Sequence, residues 1–148
     1  MDETLREQVF FLDVNVPMYA AGKDHPYKAP CAWLMREIAE GRLMVAIDSE
    51  IIQEVLYRYG TLRLWNIGET MAMNLLEIIP VVYPVTSDDM RVAIELFHYH
   101  APHGVKARDI LHAAVMRNNG LTTIISTDRH FDLIVELTRL EPQALFPG

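Results

Sequence analysis

Apolar residues along this chain fall into short unbroken runs separated by stretches with helical spacing. Val9, Phe10, Phe11 and Leu12 show no alternation and lead into Asp13, which predicts a short strand buried on both faces. Pro17 is expected to end that strand, and Gly22, Asp24, His25 and Pro26 mark a break. Trp33, Leu34, Ile38 and Ala39 then recur as the buried side of a helix that stops at Gly41. Leu43 to Ile47 form the second strand. Ser49 is the expected N-cap of a helix carrying Ile51, Ile52, Val55 and Leu56 up to Gly60, because a serine oxygen can accept from the first free backbone N–H groups. A further helix is predicted over 61–77, with Gly68 weakening its middle.

The apolar stretch from Ile78 to Tyr83 is interrupted by Pro80, so a third strand should begin at or after that proline. Thr86, Ser87 and Asp88 offer caps for a helix through Val92, Ala93, Leu96 and Phe97, ended by Pro102 and Gly104. Lys106 to Asn118 predict another helix, with Gly120 at the position just past its end. Thr122 to Ser126 read as a fourth strand and Leu137 to Leu140 as a fifth. Strands separated by helices pair in parallel through right-handed crossovers. The expected architecture is therefore a three-layer α/β/α sandwich around a central parallel sheet of four to five strands. It forms one domain over 1–148, with 1–7 a polar N-terminal tail.

Thirteen Lys and Arg against twenty Asp and Glu give a net charge of −7, which excludes a protein that holds nucleic acid by overall charge. It does not exclude a nuclease, because an acidic metal pocket raises acidity without making the outer surface repellent. The lone Cys31 allows neither an internal disulfide nor a cysteine cluster for zinc. The start MDETLREQ is acidic where a signal peptide is basic, and no long apolar run occurs, so a soluble cytoplasmic protein without membrane contact is expected.

In open parallel sheets, functional groups collect beyond the carboxyl ends of strands. Asp13 ends the first predicted strand and Asp128 follows the fourth. Glu54 sits among Ile51, Ile52, Val55 and Leu56, on a face that approaches the core, where a carboxylate needs a partner to offset desolvation. Glu50 differs, since a first-turn acid is already favoured by the helix dipole. Asp109 also falls near a helix start, but the small Ala113 and Ala114 permit close packing that would bring that start toward the strand ends. Four acids from four elements would repel one another without a cation, and oxygen ligands suit a hard one such as Mg²⁺.

These residues lie in four ordered segments, FLDVNVPMY, SEIIQEVLYR, ARDILHAAVM and ISTDRHFD. Together they resemble the motifs of the PIN domain, the ribonuclease domain of VapC-type toxins in toxin-antitoxin systems, over nearly the whole chain. The resemblance implies a PIN-like fold and hydrolysis of RNA phosphodiesters. It implies that Asp13, Glu54, Asp109 and Asp128 act as catalytic metal ligands for Mg²⁺ or Mn²⁺, while Asn15 and Ser126 orient ligands or waters. It further implies an antitoxin partner and at least a homodimer. The alternatives are a catalytically idle PIN-fold module that binds RNA or protein, and a housekeeping PIN nuclease without an antitoxin.

Asp132 and a histidine-rich segment lie outside this pattern. His98, His100 and His103 do not read as a zinc site, because alternate residues near a helix end point apart and Pro102 with Gly104 makes a turn. His112, one helical turn after Asp109, is expected to fill space or to orient that carboxylate. A phosphatase reading of Asp13 fails because Asn15 occupies the place of the second acid. No phosphate-cradling glycine loop occurs, and Met71 to Leu76 read as core or dimer packing. Lys106, Arg108 and Arg129 beside the acidic segments, with Arg58 and Arg63 after Glu54, are the candidates for binding RNA phosphates.

Overall fold

A computed structural model describes residues 7–148, so all of the predicted polar tail except Glu7 lies outside the described residues. Five strands, β1 (Val9–Leu12), β2 (Met44–Asp48), β3 (Val81–Tyr83), β4 (Thr123–Ile125) and β5 (Thr138–Leu140), form one sheet in the order β3-β2-β1-β4-β5. Every pairing is parallel, with Phe11 opposite Ala46 on one side and Ile124 on the other. Phe10 and Phe11 point to opposite faces and both are fully buried, as two covering layers require.

Those layers are α1 (Asn15–Ala21), α2 (Lys28–Ala39), α3 (Ser49–Thr61), α4 (Trp65–Ile78), α5 (Ser87–His100), α6 (Ala107–Asn118) and the short α7 (Pro142–Leu145). The crossovers from β1 through β2 to β3 run one way across the sheet, and the return from β3 to β4 runs the other way. Right-handed connections therefore put α1 to α4 over one face and α5 with α6 over the other, which gives the three-layer α/β/α sandwich. No helix among the described residues is long and apolar enough to cross a membrane.

Several local expectations are corrected. Pro17 does not end β1; it lies in the first turn of α1, where its missing N–H would have had no helical partner. The N-cap of α3 is Asp48 rather than Ser49, because β2 extends one residue further and the Asp48 carboxylate accepts from the Ile51 N–H at 3.1 Å. Ser49 instead accepts from the Val85 N–H at 3.2 Å. Trp33 is only half-buried, beside Phe146, and Ala39 is exposed. Leu56, expected on the apolar face of α3, is 49% exposed.

Helix α4 starts at Trp65, later than expected, because α3 runs through Gly60 to Thr61 and Arg63 turns the chain with φ 60°. Gly68 is more than a weak point in α4. A Cβ there would lie 2.7 Å from the Tyr59 Cβ, so its lack of a side chain lets α4 approach α3.

Candidate active site

β1 and β4 are adjacent in the sheet and remote in sequence, and the strand order reverses direction between them. Crossovers leaving such a reversal on opposite faces open a crevice at the carboxyl edge. Asp13 follows β1 directly, and Ser126, Thr127 and Asp128 follow β4. Asp13 is buried, at 4% exposure. Its Oδ1 accepts from the Val14 N–H at 2.8 Å, and its Oδ2 accepts from Ser126 Oγ at 2.6 Å and from Asn15 Nδ2 at 3.0 Å. Ser126 Oγ accepts in turn from the Asp128 N–H at 2.9 Å, so one hydroxyl joins the ends of β1 and β4.

Glu54 enters from α3 and is buried. Its Oε1 is hydrogen-bonded to His112 Nε2, on α6, and the other ring nitrogen of His112 lies 2.7 Å from Asp48 Oδ2. His112 and Asp48 have no solvent exposure. Burial opposes a charged imidazole, but hydrogen bonds to Asp48 and Glu54 outweigh it and hold the ring well above the ordinary histidine pKa.

The acids act on one another. Burial above all, with the negative charge of Glu54, pushes Asp13 up to about 6, against the opposing effects of His112 and Ser126. Asp109, in the first turn of α6, is pushed up to about 7 by burial and then by the charges of Asp13 and Asp128. Its carboxyl is within hydrogen-bonding reach of Asp128. Burial also acts upward on Asp128, but the His130 backbone N–H at 2.9 Å and ring Nδ1 at 2.8 Å prevail and lower it. The structure thus brings Asp13, Glu54, Asp109 and Asp128 into electrostatic contact at one edge of the sheet, with Asn15 and Ser126 bonded to Asp13. An all-carboxylate, partly buried set of this kind suits a hard divalent cation. Among the described residues no three acidic, histidine or cysteine side chains form a ready-made metal cage. Asp13, Glu54 and Asp128 use oxygens in the hydrogen bonds just described.

Two members of this site escaped the sequence reading. Asp48 is the last residue of β2, as Asp13 is the first after β1, so the strand-end criterion would have found it. The spacing of His112 points to packing or to Asp109, whereas the ring contacts Asp48 and Glu54, whose places depend on folding. Asp132, the additional acid, pairs with Arg139 at 2.9 Å, and Arg139 also donates to the Ser126 carbonyl at 3.0 Å and to Glu141 at 2.7 Å. That arginine therefore buttresses the back of the site.

Of the basic residues, Arg108 lies 3.4 Å from Glu50 and 5.4 Å from the centre of the Tyr57 ring, so a surface acid and an aromatic ring already engage it. Arg58, Arg63, Lys106 and Arg129 are exposed and, among the described residues, enter no ion pair. Arg58 shares a groove with Lys23, Tyr19 and Asn15, the last bonded to Asp13. His98 and His103 are exposed at the end of α5 and in the following turn, and His98 meets only the edge of Tyr99 among aromatic rings.

Ribonuclease VapC23 of Mycobacterium tuberculosis is 32% identical to this chain over 120 residues, covering 81% of it and 93% of the relative. Ribonuclease VapC13 of the same organism is 29% identical over 133 residues, covering 89% and 99%. The crystal structure of M. tuberculosis VapC20, a sarcin-ricin loop cleaving toxin, superposes with a TM-score of 0.72 at 16% identity, over 86% of this chain and 95% of that one. The family description "PIN domain" matches residues 10–137, a span that begins inside β1 and includes Asp13, Glu54, Asp109 and Asp128, and the chain belongs to the PIN domain family.

Proposed function

We propose that this protein is a metal-dependent ribonuclease that hydrolyses RNA phosphodiester bonds, and that it is the toxin of a toxin-antitoxin pair. The observation that carries the reading is the mutual electrostatic pressure among the acids at the β1/β4 reversal. Asp109, pushed to about 7 by burial, Asp13 and Asp128, is costly to ionise unless a cation joins the group. The curated relatives, both named ribonucleases, support the same chemistry.

Asp13, Glu54, Asp109 and Asp128 would hold Mg²⁺ or Mn²⁺. When bound, such an ion neutralises phosphate charge and lowers the pKa of a water. Ser126 and Asn15 fix the orientation of Asp13 through its Oδ2. Arg58, Arg63, Lys106 and Arg129 supply local positive charge for phosphates that the net charge of −7 would otherwise repel.

Two apolar surfaces support protein partners. One is a groove lined by Pro17, Ala20, Met35, Ile67, Met71 and Ile78. The other is formed by Met90, Ile94 and Phe97 on α5, at 47%, 69% and 51% exposure.

The test is cleavage of an end-labelled RNA by the purified protein with Mg²⁺, with Mn²⁺ and with excess EDTA, beside a folded Asp13→Asn variant. The amide keeps the shape of the carboxylate and loses its charge. Metal-dependent cleavage abolished by that change is the expected result. Equal cleavage by the variant, or by the wild type in EDTA, would remove the reading.

A further inference from the structure

The contact between Glu54 and a fully buried imidazole suggests a role for a residue outside the four motif acids. A glutamate has three rotatable side-chain bonds, and ordering them opposes capture of an ion. His112 removes much of that freedom, because its Nε2 is bonded to Glu54 Oε1. The ring is itself held, with Nδ1 2.7 Å from Asp48 Oδ2 and its centroid 5.4 Å from that of Phe11. Asp48 is held as well, since its Oδ1 accepts from the Ile51 N–H at 3.1 Å. That same bond caps α3, the helix that carries Glu54. Glu54 is thus located twice from one anchor, by its helix and by the ring.

We propose that His112 is a positioning residue of the metal site: anchored by Asp48, it holds Glu54 Oε1 and so leaves Oε2 as the oxygen that Glu54 presents to the cation. The inference rests on the four-acid reading of the site and adds to it the Asp48–His112–Glu54 relay. Residues bonded behind a metal ligand govern how well that ligand is aimed.

The two ring nitrogens can be separated by substitution. The amide nitrogen of Asn lies near the place of Nδ1 and that of Gln near Nε2. His112→Asn therefore keeps the Asp48 contact and drops the one to Glu54, while His112→Gln does the reverse. Mn²⁺ binding is measured by titration with electron paramagnetic resonance detection of the free ion, on wild type, both His112 variants and Asp13→Asn, with folding checked by circular dichroism. Loss of about 10-fold or more in affinity is expected for His112→Asn, with part of it restored in His112→Gln, which keeps the bond to Glu54 without the Asp48 anchor. Wild-type affinity in a folded His112→Asn, or equal loss in both His112 variants, overturns the positioning role. Wild-type affinity in Asp13→Asn overturns the four-acid reading and the relay with it, so the two failures are distinguishable.

Should a buried substitution prevent folding, the wild type suffices. The ring N–H resonances of His112 are expected to shift as Mg²⁺ is added, in step with the Ser126 amide. A ring that stays unchanged while the Ser126 signal saturates overturns the relay.

Discussion

Asp13 and Asp109 depart from ordinary aspartates in the direction that makes this site unstable alone. Their pKa values rise from 3.8 to about 6 and about 7, chiefly through burial. Between those limits the folded protein holds more protons than the unfolded chain, so these two groups make stability fall as pH rises from 3.8 toward 7 and level off above that. In EDTA, the folded Asp13→Asn, Asp109→Asn double variant is expected to exceed the wild type in stability at pH 8, with a smaller gain at pH 5, because the amides carry no charge to be desolvated. Urea denaturation at both pH values checks this, and a wild type as stable as the variant at pH 8 would contradict the assigned electrostatics. Divalent cations should reverse the order by stabilising only the wild type, because an ion that binds the folded state alone shifts the folding equilibrium toward it.

The helices that carry the site depend on identifiable junctions. Gly68 lets α4 approach Tyr59 on α3, where an added Cβ would meet the Tyr59 Cβ at 2.7 Å. Alanine there would gain about 1 kcal/mol of helix propensity. It would also force two helices apart, an overpacking cost of about 1 to 3 kcal/mol that should dominate. A net loss of stability for Gly68→Ala is therefore expected in thermal or urea unfolding, and a net gain would show that the helices separate freely. α5 begins with a reciprocal capping box, in which Thr86 accepts from the Asp89 N–H and Asp89 accepts from the Thr86 N–H. Asp89 also accepts from Asn118 at the end of α6, at 2.8 Å. Thr86→Ala should cost about 1 kcal/mol without altering metal binding, since this box lies away from the acids. Reduced Mn²⁺ affinity in that variant would point to coupling between α5 and the site.

Charge is distributed so that the fold can meet an anion despite its net −7. Long-range repulsion is screened at physiological salt, and binding then depends on the local cations near the crevice. Arg58 and Arg129 are exposed without ion-pair partners among the described residues, whereas Arg108 is engaged by Glu50 and Tyr57. Replacing Arg58 and Arg129 together by Ala should weaken RNA binding and flatten the slope of log affinity against log salt by about 1.4, from about 0.7 per phosphate contact on single strands. Arg108→Ala should change the slope less. Filter binding over a salt series measures both, and an equal effect of Arg108 would place the start of α6 on the RNA path as well.

Periodicity alone determined the strands and most helices, because unbroken apolar runs such as Val9 to Leu12 have few ways to be buried except within a covered parallel sheet. The candidate acids were legible for a related reason. A carboxylate after a buried strand, as at Asp13 and Asp128, or on an apolar helix face, as at Glu54, contradicts its surroundings and marks itself. Pro17 misled because a proline signals only that an N–H is missing, which the first turn of a helix tolerates as readily as a strand end. Ser49 misled because cap chemistry is shared by its neighbour Asp48, and only pairing of β2 with β3 decides which residue leaves the strand. The role of His112 belonged to tertiary structure altogether. Its spacing from Asp109 is local, but its actual partners Asp48 and Glu54 lie 64 and 58 residues away, and only the packing of α6 beside β1 and β2 brings the three into contact.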